Sequence, residues 1–436
     1  MKLLRTFASS GLALLLAAIA QPLSASPPAQ LALGGCSACQ QLGVDRRVLS
    51  PGVAEYSFLL RVGAGEHDRI RLHRVVRELA PFVPAPSSHG MLLAHGDVWG
   101  FDSAFLAGGT EGLPVFLAEH GVDVWGLDFR WTLVPADAPD VSFMADWSVE
   151  TDAGDLRLAG AVARATRAAT GNGFGKLILL GWSRGGQVGY AALGAEARLP
   201  AALRQFRGFV PVDVYLKTDV PELQAAACTR FAINQARFAS GEVAESLGQL
   251  AGTLGTLALA APNDPSPAVP GFTNLQASLL VAEATFTFFP PGAAPVPFYH
   301  FSGGTFDANG VPSGLSYSRP ERFLSFLAGA SPWQPLAELR DADAATCAGP
   351  PAPDVGWDDA LGEIRVPVLY LGAGGGFGSS GLYTTTLLAS ADVSSRVVSL
   401  VPPEARLFDL GHADIFLGED ATGLFWQPLL SWVLAH

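Results

Sequence analysis

The sequence predicts an α/β fold: a mostly parallel sheet with helices on both faces, interrupted by one long, mainly helical insertion. Three observations carry this expectation. From Gly90 onward, short apolar runs alternate with segments compatible with helix, the pattern of strands buried on both faces and joined by crossover helices. Over residues 216–360 the alternation gives way to Pro and Gly breaks and aromatic clusters. It then resumes in the last part of the chain.

Taken in order, the first segment reads as an export leader. Lys2 and Arg5 precede the apolar run Gly11–Ala20, which is too short to cross a bilayer. Small residues follow, with Ala20 and Ala25 as candidate cleavage points. Leu33-Gly34-Gly35-Cys36 loosely resembles a lipidation box, but a Pro-containing spacer separates it from the apolar run. A soluble exported protein, secreted or periplasmic, is therefore expected, with no stable membrane insertion. Glu55–Val62 and Arg69–Val76 read as a hairpin around Gly63-Ala64-Gly65. Met91–Ala94, Val122–Trp125, Lys176–Leu180 and Phe206–Val214 read as buried strands. Leu158, Ala161, Val162 and Ala165 recur at the spacing of one helix face. Within the insertion, Leu275–Ala282 and Pro320–Leu327 predict helices and Pro262–Pro270 a loop. Val366–Leu371 and Arg406–Leu410 predict the closing strands. The domain reading is a leader at 1–25, core at 26–215, insertion at 216–360 and core again at 361–436.

Composition narrows the function classes. With 436 residues, 49% of them hydrophobic and 15% charged, the chain can bury a large core. Lys+Arg total 27 against 40 Asp+Glu, a formal charge of -13. An acidic chain lacks the basic footprint of a nucleic-acid binder and is repelled by anionic lipid. The four cysteines are Cys36, Cys39, Cys228 and Cys347. Export permits disulfides, and Cys36–Cys39 with Cys228–Cys347 is the expected pairing, because the latter two bracket one inserted region. No second ligand pair is spaced to make the C-x-x-C a metal site.

The chemistry concentrates at Gly181-Trp182-Ser183-Arg184-Gly185, which follows the strand Leu177–Leu180 and precedes the helix-compatible segment Gly186–Ala197. This is G-x-S-x-G in strand–turn–helix context. Small flanking residues let the turn be sharp, and the hydroxyl stands at a helix N-terminus that favours developing negative charge. A serine needs a base to act as nucleophile. Of the eight histidines, His412 in Leu410-Gly411-His412-Ala413-Asp414 lies where loops after strand ends share one sheet edge. His95-Gly96 sits directly after the first buried strand.

These motifs resemble the α/β-hydrolase superfamily: His95-Gly96 after one strand, Ser183 in the elbow and His412 near the end. Phe116–Trp125, Glu66–Val75 and Gly411–Asp414 resemble, more loosely, acid-lipase-type lipases and esterases. The resemblance implies a Ser–acid–His triad in that chain order. Many members carry the acid after the penultimate strand, but here that place reads Val366–Gly378 with no carboxylate. Other members carry it after the strand that follows the nucleophile helix, which selects Asp213. Asp392 is the runner-up, with Asp219, Asp409 and Asp414 behind it. The resemblance implies an oxyanion hole from the backbone N–H of Asp97, or of Val98, and of Arg184. It puts the insertion in the usual lid position, where its aromatics suit an acyl chain or aromatic ester.

The reaction implied is exported serine ester hydrolysis, with no cofactor and no metal. Its partner would be a small-molecule or lipid-like ester, not nucleic acid. Acyl transfer and amide or peptide cleavage use the same triad, and a non-catalytic binding protein could share the scaffold.

Overall fold

The computed structural model describes residues 40–436. The leader, its cleavage point, the lipidation-like box and the Cys36–Cys39 pair lie outside the described residues. Nine strands make the path of the central sheet: β1 (Gln40–Ser50), β2 (Val53–Arg61), β3 (Arg69–Ala80), β4 (His89–Ala94), β5 (Val122–Asp128), β6 (Leu177–Trp182), β7 (Phe206–Val212), β8 (Val368–Ala373) and β9 (Val393–Val398). Their order is β1-β2-β3-β5-β4-β6-β7-β8-β9. The first three are antiparallel, β3 also pairs antiparallel with β5, and every pair from β5 to β9 is parallel.

Alternation within the strands explains why both faces are covered. Met91, Leu93, Ile178, Leu180 and Val210 pack on one side with Phe425, Leu429 and Val433 near the chain end. Leu92, Ala94, Leu177, Leu179 and Phe209 pack on the other with Leu156, Ala159, Val188 and Ala192. Successive strand side chains point to opposite faces, so a wholly apolar strand supplies two cores.

Two expectations need correction. The helix Val149–Ala169 forms, but its buried face is turned relative to the expected stripe. Val162 is buried, while Leu158, Ala161 and Ala165 are only half-buried. Polar residues occupy part of the inner face: Arg164 donates to the carbonyls of Phe174, Gly175 and Arg204, and Arg167 pairs with Asp123 at 2.9 Å. Buried guanidinium groups held by carbonyls and Asp123 take up part of the face that apolar counting alone assigns. The second correction concerns the closing strand. Residues Pro403–Phe408 form 3-10 turns, and the edge strand is Val393–Val398. That edge strand is mostly exposed, so it lacks the apolar run that marks the buried ones.

Between β7 and β8 the chain makes the helices Pro221–Ala239, Leu247–Ala260, Asn274–Glu283, Pro320–Ala328 and Leu336–Cys347. Cys228 and Cys347 are bonded, with Cα atoms 4.7 Å apart, across a sequence separation of 119. The expected pairing of these two cysteines is thus present.

Candidate active site

Ser183 follows β6 and caps the helix Arg184–Ala197 with φ 54° and ψ −126°. A non-glycine residue adopts that conformation only where the surroundings impose it. The surroundings here are backbone: a Cβ on Gly185 would lie 2.4 Å from the Ala94 carbonyl oxygen. The Ser183 N–H donates to Val212 at 3.0 Å, which joins the ends of β6 and β7.

Asp213 follows β7 directly, is fully buried and has φ 47°. Its Oδ1 accepts from the N–H groups of Ala373 and Gly378, each at 2.9 Å, and Oδ2 accepts from Phe377 at 3.0 Å. The fourth partner is His412, whose Nδ1 lies 2.7 Å from Oδ2. Three backbone donors make this carboxylate an oriented anion in an apolar setting. The glycine-rich turn after β8, which lacks an acid of its own, is the cradle. A Cβ on Gly376 would lie 1.9 Å from Asp213 Oδ2, so side chains are cleared there to admit a carboxylate from the neighbouring strand.

His412 is 1% exposed. Its ring stacks on Trp182 with centroids 4.8 Å apart, and Phe377 and Tyr299 each approach to 5.4 Å. Since Trp182 immediately precedes Ser183, the stacking brings the imidazole to the elbow. The His412 loop is held by backbone bonds, His412 N–H to His300 and Ala413 N–H to Phe301, at 2.9 and 2.7 Å. Asp414 secures the same loop by accepting from Ser302, Ser318, Gly303 and Gly411.

The other acids lie apart from the imidazole Nδ1. Asp392 is exposed and faces His436 at 3.1 Å. Asp409 caps its own turn by accepting from Leu400 and Leu410. Asp219 is exposed in the loop before the helix Pro221–Ala239.

His95-Gly96-Asp97-Val98 packs against the elbow: a Cβ on Gly96 would lie 2.8 Å from that of Ser183. The Val98 N–H donates to Gln334 Oε1 at 3.1 Å, which leaves Asp97 as the candidate donor in this loop. Arg184 Nε donates to Asp97 Oδ1 at 2.9 Å. His95 is buried, and burial pushes its imidazole below the ordinary range.

Sequence reasoning missed Gln334, which reaches this loop from the far end of the insertion, and Glu338, which contacts Gln334 and Arg184 behind it. Only tertiary contact makes them visible. Two groups among the described residues have metal-ligand spacing: Glu55, His73 and Asp102, and Asp354, Asp358 and Asp359. In the first, His73 is bound on both nitrogens by Glu55 and Asp128, and Arg47 bridges Glu55 and Asp102. In the second, Lys217 pairs with Asp358 at 2.6 Å. The donors of the first group, and Asp358 in the second, are thus paired within the protein.

No family model and no curated protein matches the chain. Among solved structures it is similar to a candidate lipase from Sulfolobus solfataricus, at 18% identity and TM-score 0.60, over 90% of this chain and 98% of that one. A monoglyceride lipase from Saccharomyces cerevisiae matches at 11% identity and TM-score 0.43, over 84% and 91%, too loosely to argue from. The first likeness shows the fold: this chain has the α/β-hydrolase fold, a mostly parallel sheet with helices around it, as the sequence resemblance implied.

Proposed function

We propose that the protein is an exported serine hydrolase that cleaves carboxylic esters bearing an apolar acyl or aromatic group. The observation that carries this reading is the buried His412–Asp213 pair, 2.7 Å apart, with the imidazole stacked on Trp182, the residue that precedes a serine in the strained elbow conformation. A binding protein on the same scaffold has no need of a carboxylate oriented by three backbone donors toward an imidazole.

Ser183, Asp213 and His412 act as the triad. Ser183 Oγ attacks the ester carbonyl carbon while His412 Nε2 takes the hydroxyl proton. Asp213 fixes the tautomer through Nδ1 and stabilises the imidazolium. The N–H groups of Asp97 and Arg184 receive the negative oxygen of the tetrahedral intermediate. His412 returns the proton to the departing alcohol, leaving an acyl-serine. Water then attacks the acyl carbon, giving a proton to His412, which passes it to Ser183 Oγ as the acyl–oxygen bond breaks and the acid leaves. Each step is complete with groups of this chain, the ester and water.

The insertion, residues 216–360, serves as a lid. What supports this is its aromatic edge: Phe301 lies 5.9 Å from the His412 ring, and Phe326 stacks on Trp99 at 3.7 Å. Trp99 follows the oxyanion loop, so lid and loop form one apolar wall. Export is supported by the Cys228–Cys347 bridge. Among the described residues no helix is long and apolar enough to cross a membrane. The test is turnover of a panel of activated esters by the purified mature protein. Hydrolysis by the wild type and none by Ser183→Ala supports the reading. Equal turnover by both refutes it.

A further inference from the structure

We propose that Gln334 is a positioning residue that holds the oxyanion loop in its working shape from the insertion side. This rests on the serine-hydrolase reading above. Val98 is a β-branched residue with φ 55°, a backbone region such residues rarely adopt. Something must hold it there, and both of its backbone groups are held by the same short segment. Its N–H donates to Gln334 Oε1 at 3.1 Å, and its carbonyl accepts from the Ser331 N–H at 2.7 Å.

Gln334 is buried, and its amide nitrogen is also committed. Nε2 donates to Asp97 Oδ1 at 2.5 Å and to Glu338 Oε2 at 3.1 Å. Asp97 Oδ1 is the atom that Arg184 Nε contacts at 2.9 Å. One amide therefore touches both consecutive residues of the oxyanion loop and, through Asp97, the residue after the nucleophile. The two backbone donors assigned to the oxyanion hole belong to Asp97 and Arg184. Gln334 touches neither substrate nor the reacting atoms, and it acts through them.

The consequence is specific. Without the amide, Val98 relaxes toward negative φ and the Asp97 N–H turns from the carbonyl oxygen. Transition-state stabilisation is lost while ground-state binding by the apolar wall is kept. The experiment measures kcat and KM for wild type, Gln334→Ala and Gln334→Ala/Val98→Gly on an activated ester. Active sites are counted by the end point of irreversible fluorophosphonate labelling. Glycine takes positive φ without strain, so it restores the loop in the double variant.

The expected result is a kcat per labelled site about 10- to 100-fold lower in Gln334→Ala, with KM within about twofold. The double variant should recover at least about fivefold of that loss. A Gln334→Ala enzyme with unchanged kcat per labelled site overturns the proposal, as does a loss confined to the number of sites. Failure of Val98→Gly to recover activity overturns it too. A wild type that neither labels nor hydrolyses any ester overturns the hydrolase reading itself.

Discussion

Ser183, Asp213 and Val98 share a property that no side-chain motif encodes: positive φ in a non-glycine residue. Among the described residues six do so, and three of them are in these loops. Each such residue costs roughly 1–3 kcal/mol, so the strain is gathered where the proposed chemistry would need exposed donors and a projecting hydroxyl. Ser183→Ala should leave the fold and melting temperature nearly unchanged but lower ester turnover by at least about 10³-fold. Circular dichroism and steady-state kinetics on one preparation check both halves. Asp213→Asn should cost far more activity than Asp392→Asn, because asparagine cannot stabilise the imidazolium and Asp392 faces His436 instead. A silent Asp213→Asn would remove it from the mechanism. Ser183 was legible because glycines, a buried strand and a helix surround it. Asp213 was legible only through the resemblance, from a strand-end place vacated by the usual acid. The matching clue, Gly376 making room for that carboxylate, is a contact between strands and has no signature in sequence.

At the scale of elements, apolar runs located the buried strands, and the misjudged features are those whose burial is polar or partial. The helix Val149–Ala169 hides arginines and aspartates, and the strand Val393–Val398 is an exposed edge. The helix Leu336–Cys347 shows what buried polarity does to stability. Its Glu338 is fully buried, and desolvation pushes the carboxyl up to about 7, opposed by Arg184 and reinforced by Asp97. Asp152, from the facing helix Val149–Ala169, is also raised by burial and by Glu338. The folded state keeps the Glu338 proton where the unfolded chain, at an ordinary value of 4.5, has released it. This stabilisation is complete below the unfolded value and is lost as pH rises through about 7. The whole effect is on the order of 3 kcal/mol. Melting temperature should therefore fall more steeply between pH 5 and 7.5 in wild type than in Glu338→Gln. Parallel curves for the two proteins would contradict the burial argument.

For the whole molecule, the core is one sheet whose parallel strand ends carry the candidate site, and helices of the insertion join its apolar cores through Phe323, Phe326 and Leu327 on one face and Ala342 and Ala345 on the other. The Cys228–Cys347 bridge spans 119 residues, for which the chain-entropy account gives up to about 4–5 kcal/mol. Both sulfurs lie within the insertion, so mild reduction should loosen it before the sheet. Activity on bulky esters should then change more than activity on acetyl esters. Equal change on both would count against gating by the lid. The central claim is that Ser183 is the nucleophile activated by His412 and Asp213. The most direct measurement is intact-mass and peptide mapping of the mature protein after fluorophosphonate treatment, beside Ser183→Ala. A single adduct on the peptide that carries Ser183, absent from the variant, is the predicted result. An adduct on another residue, or none under conditions where the protein hydrolyses esters, would contradict it.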